Sequence, residues 1–434
     1  MRVEFNENNN VADNSIRRMG AIRSARQSPV WLVSLTVIAV YICFIDRVAI
    51  SIAIIPMAAE NAWSASTQGA IMAAFFLGYL TLQIPAGLLA DRFGGKWVLG
   101  LGVLLWSVFT LLTPPAAAAG LVTLVACRFF MGVAEAVTWP SIYSLYSQWV
   151  SDARRATAVG FMNSGVAGGS VIALVATPLL VAAYSWQLAF YIYGAIGVVW
   201  FLIWTPTTQS SPASTANTSR HEHRGAKFDF PKITLSALLR SRAVWAIAVA
   251  HMCLNWTIFL MLSWLPTYIN KGLGADFSQI GMLAVAPAVV AMLLAPVAGR
   301  VFDSFISRGF NRLRVRKVMQ SLAFGSIALT FAILGYIESV MAGVLLVTFS
   351  NAMTACSVGG FATNHLEIAP NQSGLLMGVT NTLGSLSSGL AILISGIVLD
   401  VTGSWVAVFQ LAAAIAMLGA VFYWRFASIE REFY

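Results

Sequence analysis

Long apolar stretches alternate with short polar connections along most of the chain. A helix needs about 20 mostly apolar residues to cross a bilayer, and twelve stretches meet that requirement. Glycine and proline interrupt several of them, which membrane helices tolerate. We therefore predict an all-α membrane protein with twelve spans, at 31–55, 68–90, 97–117, 119–149, 156–181, 184–205, 244–268, 278–302, 317–336, 339–363, 373–399 and 403–427.

A polar segment divides these spans into two groups of six. It contains the run TPTTQSSPASTANTSRHEHRGAKFDFPK, whose content of Ser, Thr, Pro and charge is typical of a flexible linker. The connections GLLADRFGGKWV and GRVFDSFISRGFNRLRVRKV occupy corresponding places in the two groups, and each holds a Gly, an Asp and a basic cluster. This favours a duplicated six-helix unit with parallel halves. The predicted regions are a tail at 1–30, a bundle at 31–205, the linker at 206–243, a bundle at 244–427 and a tail at 428–434.

Composition supports a membrane protein. The chain is 58% hydrophobic and only 10% charged, whereas a soluble domain carries about 25% charged residues. The chain carries a net charge of +9. It has no soluble basic domain that could form a nucleic-acid-binding surface, so we expect no nucleic-acid partner. The four cysteines lie in apolar stretches without a CxxC pair, which predicts packing residues. We expect no metal and no cofactor.

The distribution of basic residues predicts the orientation. With both termini in the cytoplasm, 23 of the 26 Lys and Arg residues lie in cytosolic tails, the linker and cytosolic connections. Only Lys271 is external, and Arg47 and Arg128 lie within spans. This asymmetry is the positive-inside pattern, and it accounts for the basic charge of the chain.

Four ionisable residues lie deep inside predicted spans, where charge is costly and marks ion or substrate paths. Asp46 and Arg47 are neighbours in the first span, so their side chains point about 100° apart and cannot pair well. Arg128 and Glu135 are seven residues apart in the fourth span and share one helix face, separated by about 10.5 Å. Gly132 lies between them and would let another helix or a ligand approach closely.

These four residues suggest a mechanism of coupling. If Asp46 and Glu135 are ionised, they neutralise the arginines; protonation frees an arginine for an anion, so proton and anion bind with positive coupling. We therefore assign Arg47 to the substrate anion, Asp46 and Glu135 to protons, and Arg128 to the link between their charge state and the cavity. The alternative is an interhelical ion-pair network that only fixes the first helix in place.

Several motifs resemble those of a known transporter family. The stretch GLLADRFGGK at 87–96 resembles the signature of the major facilitator superfamily. Others resemble its anion–cation symporter branch, which includes sialin, vesicular glutamate transporters, plant phosphate transporters and bacterial sugar-acid symporters. These are FIDRVAISIAI, FFLGYLTLQIPAG, CRFFMGVAEAVTWPS, HMCLNWTIFLMLSWLPTY and NHLEIAPNQSGLLMGVTNTLG. The resemblance implies twelve helices, alternating access and transport of an anion, with protons as the driving ion in many members.

Polar residues inside the spans complete the predicted site. Tyr79 could donate a hydroxyl to a ligand or support helix packing. Asn381 lies at mid-span, where an amide is costly unless it is bonded, and the family motif carries an Asn there, which favours ligand contact. Asn255 and His251 are four residues apart and share a helix face. We assign Asn255 to the ligand, whereas a lone histidine such as His251 is typical of a packing residue.

The signature at 87–96 predicts a gate instead of a substrate site. We assign Gly87, Asp91, Arg92 and Lys96 to a charge-based latch at a cytosolic helix junction, which would stabilise one conformer of the rocking halves. A purely structural turn is the alternative.

The leading interpretation is a secondary active transporter that moves a small anion with protons, not an enzyme. An exchanger or a potential-driven uniporter is the alternative within this class, and a non-transporting membrane receptor or a membrane enzyme is the alternative outside it. Phosphate, acidic amino acids, sialate, sugar acids and aromatic carboxylates all remain open as substrates. We expect a monomer that crosses the bacterial inner (plasma) membrane repeatedly, with protons, lipid and the anion as its partners.

Overall fold

The computed structural model describes residues 28–83, 85–150, 152–209, 240–368 and 373–431, and its regular structure is helical throughout. The predicted tail at 1–30 and the linker therefore lie largely outside the described residues. The helices of the first half are α1 (Pro29–Asn61), α2 (Ala65–Gln83), α3 (Pro85–Phe93), α4 (Gly95–Ala119), α5 (Leu121–Glu135), α6 (Thr138–Trp149), α7 (Asp152–Ala183) and α8 (Trp186–Thr207).

The second half is built in the same way. Short π and 3₁₀ turns at Tyr268–Gly272, Phe277–Gln279 and Ala355–Val358 join or extend its helices. The helices are α9 (Arg242–Thr267), α10 (Ile280–Ser307), α11 (Arg312–Leu334), α12 (Val340–Thr354), α13 (His365–Ile368), α14 (Ser373–Thr402) and α15 (Trp405–Phe426).

Eleven helices of the described chain are long and apolar enough to cross a membrane, which fits an integral membrane protein. The eighth predicted span is also helical, but the apolar stretch described there, Ile280–Ala291, is shorter than a crossing needs. The count of twelve spans and the side on which the termini lie stay predictions. One predicted span is divided in the structure, into α5 and α6, whereas α2 and α3 are separated only by Ile84, which lies outside the described residues.

Helix α1 lies at the centre of the first half. Its start is fixed by Ser28, whose hydroxyl accepts a hydrogen bond from the amide of Trp31 at 3.2 Å, followed by Pro29 at the first helical position. It ends at Ala62, which has a left-handed backbone conformation with φ 52°. Within its apolar window 83% of the residues are buried, against 33% for α15. Residues of α1 are therefore in position to form an interior site.

Two glycines let α2 and α5 pack backbone to backbone. A Cβ atom on Gly78 would collide with the carbonyl of Phe129, and one on Gly132 would collide with the carbonyl of Phe75. The predicted close approach at Gly132 is thus made by a helix. Because α5 carries Arg128 and Glu135, this contact sets the distance between those charges and the side chains of α2.

The two halves meet through matching helix pairs: α2 packs on α14, α7 on α10, and α1 on α9. The closest backbone contacts lie at one end of the bundle, where α1 ends and α2 begins; we call it the outer end. There a Cβ on Gly281 would lie 2.5 Å from the carbonyl oxygen of Leu174, and one on Gly69 would lie 3.0 Å from that of Ile392.

We call the opposite end of the bundle the inner end. Cβ atoms built on Gly87, Gly160 and Gly378 would meet no described heavy atom within 4 Å. A Cβ on Gly299 would reach only Val358 of its own half, at 3.9 Å. Close contacts between the halves are thus present at the outer end, and these four inner glycines make none with the other half among the described residues.

We predict that Gly132→Ala destabilises the protein by about 1–3 kcal/mol, because the added methyl group forces α2 and α5 apart. The melting temperature in detergent measures this. The matched control is Gly325→Ala, since a Cβ there meets nothing within 4 Å and alanine is the better helix former. Equal melting temperatures for the two variants would contradict the contact.

Candidate functional site

Helices α1 and α5 bring the four predicted charges into one interior cluster. Asp46, Arg128 and Glu135 are at most 1% exposed. The side chain of Arg47 retains 8% exposure. Charges at this depth persist only when they are paired or hydrogen-bonded, so the partners of each group indicate what the site can do.

Arg47 and Glu135 form a direct ion pair between α1 and α5. The Nη2 atom of Arg47 lies 3.2 Å from Oε1 of Glu135. The other carboxylate oxygen, Oε2, is buried without a hydrogen-bond partner among the described residues. One oxygen of Glu135 is thus held by the cation, and the other is open to a proton.

Cys43 donates a hydrogen bond from its thiol to the same Oε1 atom of Glu135. It lies one turn before Arg47 on α1, with its sulfur 4.0 Å from Nη2 of that residue. The apolar surroundings of Cys43 in the sequence predicted a packing residue. Its spacing of four residues from Arg47 was the available signal, because residues four apart share a helix face.

Aromatic rings enclose the guanidinium of Arg47. Its Cζ atom lies 4.8 Å from the ring centroids of Phe44 and Phe75, and 5.2 Å from that of Tyr79. Such contacts stabilise a cation by about 0.5–2 kcal/mol each, more when water is excluded. Tyr79 therefore lies beside the predicted substrate arginine, as one wall of its enclosure.

Arg128 lies deeper and contacts no carboxylate of the described residues directly. Its Nη1 atom lies 3.1 Å from the sulfur of Met131, and its Cζ lies 5.5 Å from the ring centroid of Phe75. It is near enough to Asp46 and Glu135 to interact with both electrostatically. In this conformation Arg128 is too buried to contact a ligand directly. Its position therefore fits the predicted role of an electrostatic link between the two acids.

Asp46 points away from Arg47. The two neighbours make no ion pair, as their angular separation on α1 predicts. Neither carboxylate oxygen of Asp46 has a hydrogen-bond partner in the described chain. The nearby hydroxyl of Thr110 donates instead to the carbonyl of Trp106, at 3.0 Å. Asp46 is therefore a buried acid with two unused oxygens.

The predicted polar residues of the second half lie where α9 meets α14. A Cβ on Gly384 would lie 2.6 Å from Nδ2 of Asn255 and 3.1 Å from Cδ2 of His251. Asn381 is on the same face of α14, three residues before Gly384. Both asparagines are half-buried, and neither side chain hydrogen-bonds another described residue. His251 also contacts the ring of Phe361, at 5.3 Å between centroids.

Three of the four residues predicted to form a latch, Gly87, Arg92 and Lys96, are described by the structure, and the latch itself stays a prediction. Lys96 donates from Nζ to the carbonyl of Thr205 at 2.9 Å, which ties α4 to the end of α8. Arg92 is exposed and lies over the ring of Phe93. Gly87 faces open space, and the side chain of Asp91 lies outside what the structure describes.

A buried arginine of the second half was missed by the sequence analysis. Arg316 is 3% exposed and forms a two-pronged pair with Glu367, with both N–O distances at 2.7 Å. It also donates to the carbonyls of Gly359 and Gly360. The basic cluster at 299–318 signalled a charged inner junction, but a partner 51 positions away could not be assigned from one sequence.

These observations define a helical membrane protein with an ionisable cluster in its interior. The model of the Major Facilitator Superfamily matches residues 36–392. The chain belongs to this superfamily, as the motif at 87–96 predicted. The relatives described next are transporters and not enzymes, the class that we predicted.

Two relatives from Arabidopsis thaliana cover most of the chain. One is described as a chloroplastic ascorbate transporter, 37% identical over 90% of this chain and 73% of its own length. The other is described as a chloroplastic sodium-dependent phosphate transport protein, 36% identical over 92% of this chain and 80% of its own length. These similarities extend over both halves of the membrane region.

A solved structure shares the fold. The crystal structure of a bacterial homologue of the human lysosomal transporter Spinster, inward-facing and occupied, aligns with a TM-score of 0.75. The alignment covers 91% of this chain and 96% of the other, at 17% identity. At that identity the likeness supports the architecture alone.

We predict that Cys43→Ala lowers the free energy of unfolding by about 1.5–3 kcal/mol, the usual loss for a hydrogen bond to a charged group. Cys43→Ser keeps a donor and should cost less. Thermal unfolding of both variants in detergent checks this order. Alanine and serine variants of equal stability would show that the thiol only fills space.

Proposed function

We propose that the protein is a secondary active transporter that moves a small anion together with protons by alternating access. The ion pair between Arg47 and Glu135 carries this proposal. In this pair the cation that a substrate anion would need, Arg47, is bound directly to an acid that a proton can neutralise, Glu135. The names of the relatives support an anion as cargo, because one is described with ascorbate and the other with phosphate.

The coupling step follows from the two oxygens of Glu135. A proton arriving at the unpartnered Oε2 neutralises the carboxylate and weakens its hold on Arg47 through Oε1. Arg47 then carries an uncompensated charge in an enclosed site, and a substrate anion restores the balance. Because arginine presents two donors in one plane, it suits a carboxylate or a phosphate equally well. Each ligand thus favours binding of the other.

Asp46 and Arg128 extend this cycle beyond the ion pair. An ionised Asp46 with no hydrogen-bond partner would be costly in the interior, whereas the neutral acid requires no counter-charge. A proton on Asp46 leaves Arg128 to interact with Glu135 alone. The charge of Asp46 therefore modulates the pair at Arg47 through Arg128, and we assign both acids to proton coupling on this ground.

The remaining ligand contacts come from Tyr79 in the first half and from Asn255 and Asn381 in the second. Transport by rocking halves requires that cargo touch both halves. The half-buried asparagines of α9 and α14 provide uncharged donors and acceptors for that purpose. The outer-end contacts, and the lack of such contacts at the described inner glycines, fit a cavity open toward the inner end, which is the cytosolic side in the predicted orientation.

The membrane in which the protein resides stays a prediction. The bacterial inner membrane is not favoured by the plant relatives, which are described as chloroplastic. The cytoplasmic position of both termini remains a proposal based on the distribution of basic residues, and the monomeric state stays a prediction.

We predict that Glu135→Gln and Asp46→Asn reduce proton-driven accumulation of the anion at least about tenfold, within the usual range of coupling energies. Counterflow without a gradient should persist. The assay is radiolabelled phosphate and ascorbate uptake into proteoliposomes under an imposed pH gradient, sodium gradient or membrane potential.

The matched control is Glu338→Gln, an exposed acid in the connection before α12, which should accumulate anion like the natural protein. Full proton-driven accumulation by Glu135→Gln would contradict the coupling role. Accumulation driven only by the sodium gradient or only by the membrane potential would show that protons are not the driving force. Absence of any anion flux would favour a receptor.

We predict that the transported anion raises the melting temperature and that Arg47→Ala abolishes this shift. Saturating ligand at 100 times its Kd stabilises the folded state by about 2.7 kcal/mol. A thermal-shift screen of phosphate, ascorbate, glutamate, sialate, gluconate and benzoate at two pH values tests this. The control is Lys271→Ala, an exposed cation; an unchanged shift in Arg47→Ala would exclude Arg47 as the anion site.

A further inference from the structure

Asp400 joins the two halves at the outer end. It lies near the end of α14, and its carboxylate accepts one hydrogen bond from the amide of Ala65 and another from the amide of Ser66, each at 2.7 Å. Those amides begin α2 in the other half. A single side chain of the second half thus binds the start of a helix in the first.

The start of α2 depends on this contact. Ser64 accepts from the amide of Thr67 with its hydroxyl, at 3.2 Å, and from that of Gln68 with its carbonyl, at 3.0 Å. The bond from Gln68 is the first bond within the helix, so Ser64 caps one of the amides that a helix start leaves without partners, that of Thr67. Asp400 binds two more of them, those of Ala65 and Ser66. The negative charge also interacts favourably with the helix dipole.

The backbone around Asp400 is shaped for this approach. One turn earlier on α14, a Cβ on Gly396 would collide with the carbonyl of Ala65. A side chain at this position would push α2 and α14 apart and lengthen the hydrogen bonds of Asp400. Two separate features, an acid and a glycine, therefore hold the same two helix ends together.

We propose that Asp400 is the latch of the outer end: it stabilises the conformer in which the halves meet there, and it releases α2 when they separate. This inference rests on the alternating access of the proposed function. Asp400 is exposed, so water can replace both partners as the latch opens. The contact can thus bias the equilibrium between conformers without making the closed outer end permanent.

The test measures the conformer directly and needs no substrate. Spin labels are attached at Tyr184→Cys and Tyr336→Cys, which are 74% and 67% exposed and lie at the outer ends of the two halves. Cys356, the native cysteine that is not fully buried, is replaced by serine. Double electron–electron resonance in lipid nanodiscs then gives the populations with near and separated outer ends.

We expect Asp400→Ala to raise the ratio of separated to near populations about five- to thirtyfold, the effect of losing an acidic helix cap. Asp400→Asn keeps one acceptor oxygen and should give a smaller rise. Gly396→Ala should act in the same direction as Asp400→Ala, because it forces the helices apart. The control is Asp276→Ala, an exposed acid at the outer end with no bond to the other half.

A distance distribution unchanged by Asp400→Ala, in protein that remains monodisperse, overturns the latch. An equal rise in Asp276→Ala would also overturn it, because the effect would then come from outer-end charge in general. The measurement involves neither an anion nor a proton gradient. Failure of anion transport by the natural protein would therefore leave its result valid, and the two failures are distinguishable.

Discussion

The buried pair of Arg47 and Glu135 is the constraint on which the rest of the interior depends. Removing two charges from water costs several kcal/mol per ion, and their attraction offsets this only with good geometry and further hydrogen bonds. The Cys43 thiol and the rings of Phe75 and Tyr79 provide those further contacts. Because the attraction exceeds the cost of burial only slightly, a change in the charge of one residue of the cluster alters how stably every other residue of the cluster is buried.

This dependence links helix packing to charge. Phe75 and Tyr79 reach Arg47 because α2 lies against α5 without side chains between the two backbones. That approach requires Gly78 and Gly132, which have no Cβ to occupy the space. A wider spacing would admit water beside the ion pair and weaken the attraction, since water screens charge far better than the protein interior. The glycines therefore help determine the electrostatics of the site.

The sequence predicted the parts of the structure that depend on local pattern. Apolar length alone predicted the helices that membrane-spanning stretches form, eleven of which are long and apolar enough to cross a membrane in the described chain, and the spacing from Arg128 to Glu135 predicted a shared helix face with Gly132 at a close contact. Contacts between distant segments could not be obtained in this way. The pairing of Arg316 with Glu367 and the hydrogen bond from Lys96 to the end of α8 depend on how helices pack. The same holds for the thiol of Cys43, because a cysteine in an apolar run is more often a packing residue.

The interior pair and the outer-end contact have different exposure, and this difference suits them to different tasks. The ion pair of Arg47 and Glu135 is shielded from water, so a single proton changes its energy strongly. Asp400 is exposed, so its bonds to α2 exchange with water at small net cost. A transporter must visit both conformers, and a ligand can shift their populations only by its difference in affinity for the two. In the proposed mechanism, a weak outer latch would keep the conformers close in energy, and the buried pair would then let proton and anion determine which one is populated.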